Sequence, residues 1–319
     1  MSASAAPMTK PVAPASYRRA SLTGLVRGEL RKIVHLRITW ALLGLFTLFV
    51  VGSQLILVGA SDTKDQLIHN TPGSFSNLVS GDLSILRVFS GIAALVLAAH
   101  VIGLEYQHGT IRILLGRGVG RLQLLGAKMA ALTLVLLGLL GWGLLIQLAF
   151  AWRLVVGLAG DAAPWRRLGD DYWVSARYYL FCVLISLGVT LLLAVAATVV
   201  GRSLASGLAF GLSWFAVDNL ASIPLTLGYQ FTHSDLWLKV SGFLLGPLLN
   251  RLPDYIAPPW HAIAQTPTGS VTVTSHFSGF GALPLKQVSS AQALTVIGAY
   301  AVVFALIAVI VTWRRETRD

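Results

Sequence analysis

The chain has 319 residues, of which 55% are hydrophobic and only 12% are charged. This composition excludes an ordinary soluble domain and is typical of a multi-pass membrane protein. The formal net charge of +11 is better explained by Lys and Arg held on one membrane face than by nucleic acid binding, and the single Cys182 excludes a disulfide framework within one chain.

Two different pieces precede the first long apolar run. Residues 1–16 are rich in Ala, Ser and Pro and have little to bury, so we expect a disordered tail. In residues 17–37 apolar side chains recur every three or four positions among Arg and Lys, which predicts a basic amphipathic interface helix on the inner membrane surface. The alternative is a solvated cytoplasmic helix without membrane contact.

Six apolar runs are long enough to cross a bilayer core about 30 Å thick. We predict an all-α integral membrane protein, because lipid offers backbone groups no hydrogen-bond partners. Within a transmembrane domain of residues 38–313, the six TM helices are expected at residues 38–60, 83–104, 129–152, 178–201, 203–228 and 291–313. The second run reaches back to Leu83 only if Arg87 extends its side chain toward the headgroups.

The positions of the cations predict the orientation. Of the 24 Lys and Arg residues, seven precede the first run, four follow the second, one separates the fourth and fifth, and three lie in the tail of residues 314–319. The positive-inside rule therefore places both termini, and the stretch from Glu105 to Lys128, in the cytoplasm. We expect the protein in the cell (inner or plasma) membrane.

The stretch from Glu105 to Lys128 concentrates charge between two apolar runs in a chain that otherwise avoids it. Gly109 and Thr110 offer a turn and a helix cap, and an apolar patch follows beside Arg112. The pattern predicts a short cytoplasmic helix, a flexible break at residues 116–120 and a second helical start. Such a helix needs lipid or a partner to cover it, unless the stretch is only a positive loop that fixes topology.

The residues of this stretch resemble a family pattern, E-x-x-x-G-T-x-R-x-L-L-x-R-P-x-x-R followed by Lys, of type-2 ABC transporter permeases. The similarity extends to the basic N-terminal helix, the six spans and the minimal turn between spans four and five. Gly118 stands where many members have Pro. The matching residues are Glu105, Gly109, Thr110, Arg112, Leu114, Leu115, Arg117, Arg121 and Lys128.

The resemblance implies the membrane subunit of an ATP-driven exporter. Such a subunit would pair with a second permease chain, as a homodimer, and with two copies of a cytoplasmic ATPase subunit that bind ATP and Mg²⁺. For Glu105 the alternative is a local salt bridge at the membrane interface. The substrate class stays open among lipids, drugs and peptides. The residues expected to couple to the ATPase are Glu105, Gly109, Thr110, Arg112, Arg117 and Arg121.

No catalytic role is predicted for the chain itself. The sequence lacks the G-x-x-x-x-G-K-[ST] P-loop and the H-E-x-x-H and G-x-S-x-G motifs. Its seven His residues show no metal-ligand spacing. We therefore expect no catalytic residue, no metal and no cofactor in this chain.

Polar residues inside the spans are candidates for a translocation path. They are His100 in span two and Asp218 and Asn219 in span five. Asp218 either lines a substrate route or, if a re-entrant piece follows Val217, lies near the outer interface, and we favour the second interpretation. Two glutamines inside spans are weaker candidates, because each could simply bond to a neighbouring helix: Gln54 and Gln147.

Span five also carries Ser203, Gly207 and Gly211, a ladder of small residues that allows close helix approach. This pattern predicts a dimer interface, and the alternative is packing within the chain against span one or four. The outer segment of residues 229–290 is the largest stretch outside the spans. Its residues 236–250 are too short and too broken by Gly and Pro to span, so they should lie in the outer interface or re-enter it.

Two other functional classes remain open. A secondary transporter would normally carry ionisable residues in several spans and an inverted repeat. A non-transporting membrane sensor could use the same ATPase partner.

Overall fold

The structure is a computed structural model that describes residues 21–59, 71–111, 113, 118–160, 163–166, 168–256 and 288–314. Within these ranges the regular elements are helical and no strand occurs. The predicted N-terminal tail, the outer segment from residue 257 to 287 and the end of the C-terminal tail lie outside the described residues. In chain order the elements are α1 (Leu22–His35), α2 (Arg37–Gly59), α3 (Thr71–Ala98), a π-helical segment (Ala99–Gly103), α4 (Leu104–Gln107), α5 (Arg121–Ala159), α6 (Ala163–Arg166), α7 (Asp170–Gly201), α8 (Leu204–Leu220), α9 (Ser222–Thr232), α10 (Asp235–Ser241), α11 (Leu245–Ile256) and α12 (Ser290–Arg314).

Five helical stretches of the described chain are long and apolar enough to cross a membrane: α2, α3 with its continuation to Gln107, α5, α7 and α12. Helices α8 and α9 pass the same test together and are bent by 40° at their junction. With the bent pair counted as one, there are six spans. The all-α membrane fold expected from the sequence is confirmed.

Several helices extend beyond the apolar runs that predicted them. The second span begins at Thr71 rather than at residue 83, and the third runs from Arg121 to Ala159 rather than over residues 129–152. The fourth begins at Asp170 rather than at residue 178. Apolar length marks only the part that lipid can surround, whereas a helix continues wherever its polar side chains find water or partners.

Helix α1 joins α2 through a tight elbow at Leu36, whose backbone is extended with φ −71° and ψ 129°. Across the elbow, Thr39 Oγ1 donates to Ile33 O at 2.6 Å and Trp40 Nε1 donates to Val34 O at 2.9 Å. Both bonds go to carbonyls in the last turn of α1, where the regular helical bonds end. They fix the direction in which α2 leaves α1, while α1 itself packs along α5.

The buried core lies mainly between α3, α5 and α7. Gly143 of α5 allows a close approach of three helices, because a Cβ at this position would overlap Leu86 of α3 and lie 2.5 Å from Phe46 Cε1 of α2. Helices α2 and α12 lie at the edge of the bundle and expose large apolar side chains. Only lipid or another protein can cover such a surface.

A polar contact ties three spans together inside this core. Gln54 of α2 donates through Nε2 to Asp82 Oδ1 of α3, and Gln147 Nε2 of α5 donates to the Asp82 carbonyl at 2.8 Å. Buried amides are costly without partners, so the three residues support one another. Gln54 and Gln147 thus bond to a neighbouring helix, which is the simpler of the roles open to them.

The second span changes its winding near its end. Residues Ala99–Gly103 form a π-helical turn before α4 completes the span. Gly103 lies against the start of α8, where a Cβ would come within 2.8 Å of Leu204 N. A larger residue at Gly103 would push α8 away from the second span.

Beyond the bend of span five, α10 and α11 follow in close succession. Residues 236–250 contribute to both helices, and α11 is packed against α7, α8 and α12 rather than lying on a surface. Leu248 and Leu252 of α11 are only 1% and 0% exposed. The α11 part of this segment therefore inserts into the bundle, whereas Leu236 and Phe243 are 63% and 59% exposed.

Candidate functional site

Four charged side chains form a network at one end of the bundle. Lys128 Nζ of α5 lies 2.8 Å from Glu105 Oε1 of α4 and 2.9 Å from Glu29 Oε2 of α1. Lys32 of α1 donates to the same Glu105 oxygen. Charges of alternating sign therefore connect α1, α4 and α5, and we call this part of the molecule the Glu105 end of the bundle.

The network is buried at its centre and open at one side. Only 3% of the Lys128 side chain and 8% of that of Glu105 are exposed, whereas 41% of the Lys32 side chain is exposed. Burying a charge is costly unless an opposite charge and hydrogen bonds compensate for it. The arrangement therefore holds α1 in one position relative to the second and third spans.

The chain turns sharply after α4. Gly109 has φ +66°, in the left-handed region that favours glycine, and Thr110 Oγ1 donates to the Glu105 carbonyl at 3.4 Å. Gly109 and Thr110 thus lie at the turn that follows α4, where the Thr110 hydroxyl contacts the main chain of Glu105. A change in the position of the following loop would reach Glu105 through this turn.

Gly118 has φ +82°, which explains its departure from the family pattern. Proline is restricted to φ near −65° and could not adopt this backbone conformation. The chain then becomes extended at Gly120, with φ −67° and ψ 141°, and α5 begins at Arg121. Glycine therefore allows a local path to the third span that the usual Pro would forbid.

Comparison with known protein families gives the same family as the sequence resemblance. The family model described as ABC-2 family transporter protein matches residues 24–318. The chain belongs to the ABC-2 transporter family. No curated protein matches the chain. This ABC-2 chain is a multi-pass membrane protein and a permease subunit of an ABC transporter, which is a transport subunit and not itself catalytic.

The coupling residues expected in the permease fall into two groups. Glu105, Gly109 and Thr110 lie together at the turn after α4, and Arg121 starts α5 on the other side of the loop. Arg112 and Arg117 lie outside the described residues. Lys32 and Lys128 of neighbouring elements contact Glu105, so the local salt bridge considered for Glu105 exists.

The polar residues proposed for a translocation path do not form one cluster. His100 lies in the π-helical turn, where its Nδ1 is 3.1 Å from the carbonyl of Val96 in the same span. Asn219 Nδ2 donates to Phe215 O at 2.8 Å within its own helix. Asp218 instead faces α11 and interacts with Arg87 of the second span. Helix α8 continues through Asp218 to Leu220 before the bend, rather than ending at residue 217.

The ladder of small residues in span five is occupied by the chain itself. A Cβ at Gly207 would lie 2.7 Å from Thr198 Oγ1 of α7, and one at Gly211 would lie 2.7 Å from Leu95 Cδ2 of α3. Ser203 is the N-cap of α8, with its Oγ accepting from Ser206 N at 3.0 Å. The face of Gly207 and Gly211 is closed within one chain, so a second permease chain would have to contact another face.

Three buried or paired charged residues, two of them in the network, were missed or misread from the sequence. Glu29 was not predicted to have any role and Lys32 counted only among the cations of the basic helix, although Glu29 is the lone acid of α1 and is buried. Arg87 was expected to reach the headgroups, but it is buried and donates through Nη2 to Asn250 Oδ1 of α11. Two sequence signals could have identified such residues: a lone acid on a basic helix and a lone cation in an apolar run.

No group of three metal-ligating side chains occurs within the described ranges of the permease.

Proposed function

We propose that this permease is the membrane subunit of an ATP-driven exporter and that a separate ATPase subunit binds at the Glu105 end of the bundle. The observation that carries the proposal is the network of Glu29, Lys32, Glu105 and Lys128. ATP and Mg²⁺ belong to the partner subunit. The residues of this chain receive the movement that hydrolysis produces.

The network supports coupling for a mechanical reason. The loop that carries the family pattern leaves from Glu105, and the buried carboxylate is tied to α1 through Lys32 and to α5 through Lys128. A push on either α1 or the loop would therefore move the ends of the second and third spans together. Packed helices transmit such displacements because protein interiors are close-packed.

The exposed side of α1 offers a contact surface with positive charge. Arg27 and Arg31 are exposed, while Ile33 and Glu29 are buried against the bundle. Together with Arg112 and Arg117 of the loop, these cations would meet acidic groups of the ATPase or anionic lipid headgroups. By the positive-inside rule this end faces the cytoplasm, and the termini lie on the same side of the cell membrane.

The coupling proposal is tested with the double variant Arg112→Glu and Arg117→Glu. We expect it to lose co-purification with a P-loop ATPase subunit and to lower permease-stimulated ATP hydrolysis by about tenfold or more, since reversed charges at an interface cost several kcal/mol. Arg153→Glu is the matched control, because Arg153 is an exposed arginine of α5 far from Lys128. Unchanged assembly and hydrolysis in the double variant would exclude the loop as the coupling site.

We also propose that two copies of the permease pair through spans one and five. Leu48 of α2 and Phe210 and Val217 of α8 are 67%, 64% and 71% exposed, although all three are large and apolar. Phe210 and Val217 lie about 100° or more around α8 from Gly211, on a face that the chain leaves open. In the membrane these side chains would contact the second chain rather than lipid alone.

Pairing is tested by crosslinking in a background that lacks cysteine, which requires only Cys182→Ala. We expect Leu48→Cys to crosslink to its copy in the membrane. Val302→Cys, 57% exposed on the edge helix α12, should not. The reverse pattern would assign the dimer contact to a different face.

A transport assay separates the exporter from a membrane sensor. In sealed vesicles that contain the assembled complex, an exporter moves substrate only when ATP is hydrolysed. Stimulated hydrolysis with no movement of lipid, drug or peptide probes would favour the sensor.

A further inference from the structure

An acid is buried in the bundle far from the Glu105 end. Asp82 of α3 is 7% exposed, and its neighbours Gln54 of α2 and Gln147 of α5 are 2% and 3% exposed. Asp82 precedes Glu105 in the same span by about 35 Å, at 1.5 Å per helical residue, which is more than the thickness of a bilayer core. The three residues therefore join three spans near the opposite end of the bundle.

The hydrogen bonds of these three residues leave one acceptor without a donor. Gln54 Nε2 donates to Asp82 Oδ1, and Gln147 Nε2 donates to the Asp82 carbonyl at 2.8 Å. Gln147 Oε1 is buried and has no hydrogen-bond partner in the part of the chain that the structure describes. This oxygen is bonded to the same carbon as the nitrogen that contacts Asp82, so it lies beside that residue. The contact is therefore short of one donor.

An ionised Asp82 would also lack a positive partner. Among the residues that the structure describes, no Lys, Arg or His forms an ion pair with Asp82. A buried charge is costly unless an opposite charge compensates for it, and an acid without such a partner takes up a proton instead.

The ionisable groups on the helices around Asp82 do not supply this charge. Arg87, the only cation of α3, donates to α11, and α2 carries no ionisable side chain beyond its first residue. The cations of α5 and α7 toward this end, Arg153 and Arg177, are exposed. The remaining titratable side chains toward this end of the surrounding helices are Asp170, Asp171, Tyr172, Tyr178, Tyr179, Asp218, Arg251 and Asp254.

A proton on Asp82 would supply both the missing donor and the missing charge. A protonated carboxyl is neutral, keeps an oxygen that accepts from Gln54, and gains an O–H that can donate to Gln147 Oε1. A metal ion fits less well, because hard cations collect oxygen ligands, whereas Gln54 directs an amide nitrogen at the carboxyl. The ligand that matches the contact is therefore a proton.

We propose that Asp82 is a proton-binding site and that the bound proton holds spans one, two and three together at this end of the bundle. Loss of the proton leaves a carboxylate beside Gln147 Oε1, and two acceptors with no donor between them repel each other. The contact between the three spans then separates or takes up water. The inference concerns this chain alone and holds whether or not the permease exports a substrate.

Infrared spectroscopy of the full-length permease in lipid nanodiscs detects the proton directly, because only a protonated carboxyl shows the C=O stretch of an acid. At about pH 5 an ordinary Asp, with a pKa of about 3.9, is about nine-tenths ionised. We expect the original protein to show one acid carbonyl more than Asp82→Asn at this pH. Identical spectra in this region for the two proteins would overturn the proposal.

Asp171→Asn is the matched control for the infrared measurement. Asp171 is exposed at the start of α7, so the same substitution there should leave the acid carbonyl band at about pH 5 unchanged. A loss of the band in Asp171→Asn as large as in Asp82→Asn would remove the evidence for a proton at Asp82.

The pH dependence of stability gives a second readout. If the folded chain binds a proton that the unfolded chain releases, its stability is greatest at low pH and falls as the pH rises. Asp82→Asn keeps the hydrogen bonds without the proton, since its amide can donate to Gln147 and accept from Gln54. Above about pH 5, the unfolding equilibrium constant of the original protein should rise relative to that of the variant by up to tenfold per pH unit. A ratio that stays constant from about pH 5 to 9 would contradict the proposal.

Two further outcomes would count against a proton. Failure of Asp82→Asn to fold would contradict the proposal, because Asn reproduces the hydrogen bonds of a protonated acid but not the charge of a carboxylate. A melting temperature that rises with sodium chloride but not with choline chloride, and only when Asp82 is present, would assign the site to a sodium ion instead. None of these measurements involves an ATPase, so a failure here and a failure of the exporter proposal are separate.

Discussion

Lys128 places its buried ammonium 2.8 Å from Glu105, a residue of the preceding span 23 positions earlier in the chain. It also lies 2.9 Å from Glu29, so one cation holds two carboxylates of different elements. The two acids would repel each other without it. Lys128 is therefore the residue on which the geometry of the Glu105 end depends most.

Replacing this cation should destabilise the protein strongly. We expect Lys128→Met to lower the free energy of unfolding by about 3–5 kcal/mol, because two buried carboxylates lose their shared partner. Lys32→Met should cost only about 0–1 kcal/mol, since Lys32 is 41% exposed and Glu105 keeps Lys128. Thermal unfolding in detergent measures both. Equal melting temperatures for the two variants would contradict the central role of Lys128.

The left-handed backbone of Gly118 gives a test of the loop. Gly118→Pro should lower the melting temperature and weaken assembly with the ATPase, because proline cannot reach φ +82°. Gly118→Asn should be better tolerated, since Asn adopts the left-handed region more readily than other residues. If the Pro variant, which restores the common family residue, behaves like the original protein, the loop does not need this conformation.

Gly207 provides a test of packing between spans four and five. Gly207→Ala should destabilise the chain by roughly 1–3 kcal/mol, because its Cβ would lie 2.7 Å from Thr198 Oγ1. Gly298→Ala is the control, since that Cβ would have no neighbour within 4 Å and alanine favours a helix. Should Gly207→Ala leave thermal unfolding unchanged but abolish crosslinking between copies, the glycine would belong to the dimer interface instead.

The start of span five depends on a helix cap. Ser203→Ala should lower stability by about 1 kcal/mol, because the N–H of Ser206 loses the acceptor that lies 3.0 Å away. Ser203→Asp should retain the stability, as Asp is an equally good N-cap. Chemical or thermal unfolding of the three proteins side by side measures the effect. A loss in the Asp variant as large as in the Ala variant would point to packing of Ser203 rather than to capping.

The spans could be predicted because lipid imposes a simple rule on sequence. An apolar run of sufficient length has to be a helix, and six such runs define the fold. The same rule underestimates the length of the helices, because their ends are polar. The second span starts at Thr71, and its polar first turns are invisible to a count of apolar residues even though Asp82 is packed between Gln54 and Gln147.

The charge network could not be predicted in the same way. Lys32 and Glu105 are 73 positions apart, and Glu29 and Lys128 are 99 apart. No local pattern selects one lysine among many as the partner of a distant acid. The family pattern marked Glu105 and Lys128 as residues of interest, and only the packing of α1 against α5 reveals that they meet.

The π-helical turn at Ala99–Gly103 gives the second span a property that its length alone does not. One additional residue in a turn rotates everything beyond it by about 100°. Deleting a single residue there would leave Arg87 facing Asn250 but swing Glu105 away from Lys128. The number of residues between Arg87 and Glu105 therefore has to be kept if both contacts are to form. An alignment of related chains that slips by one position in this helix would pair residues that lie on different faces.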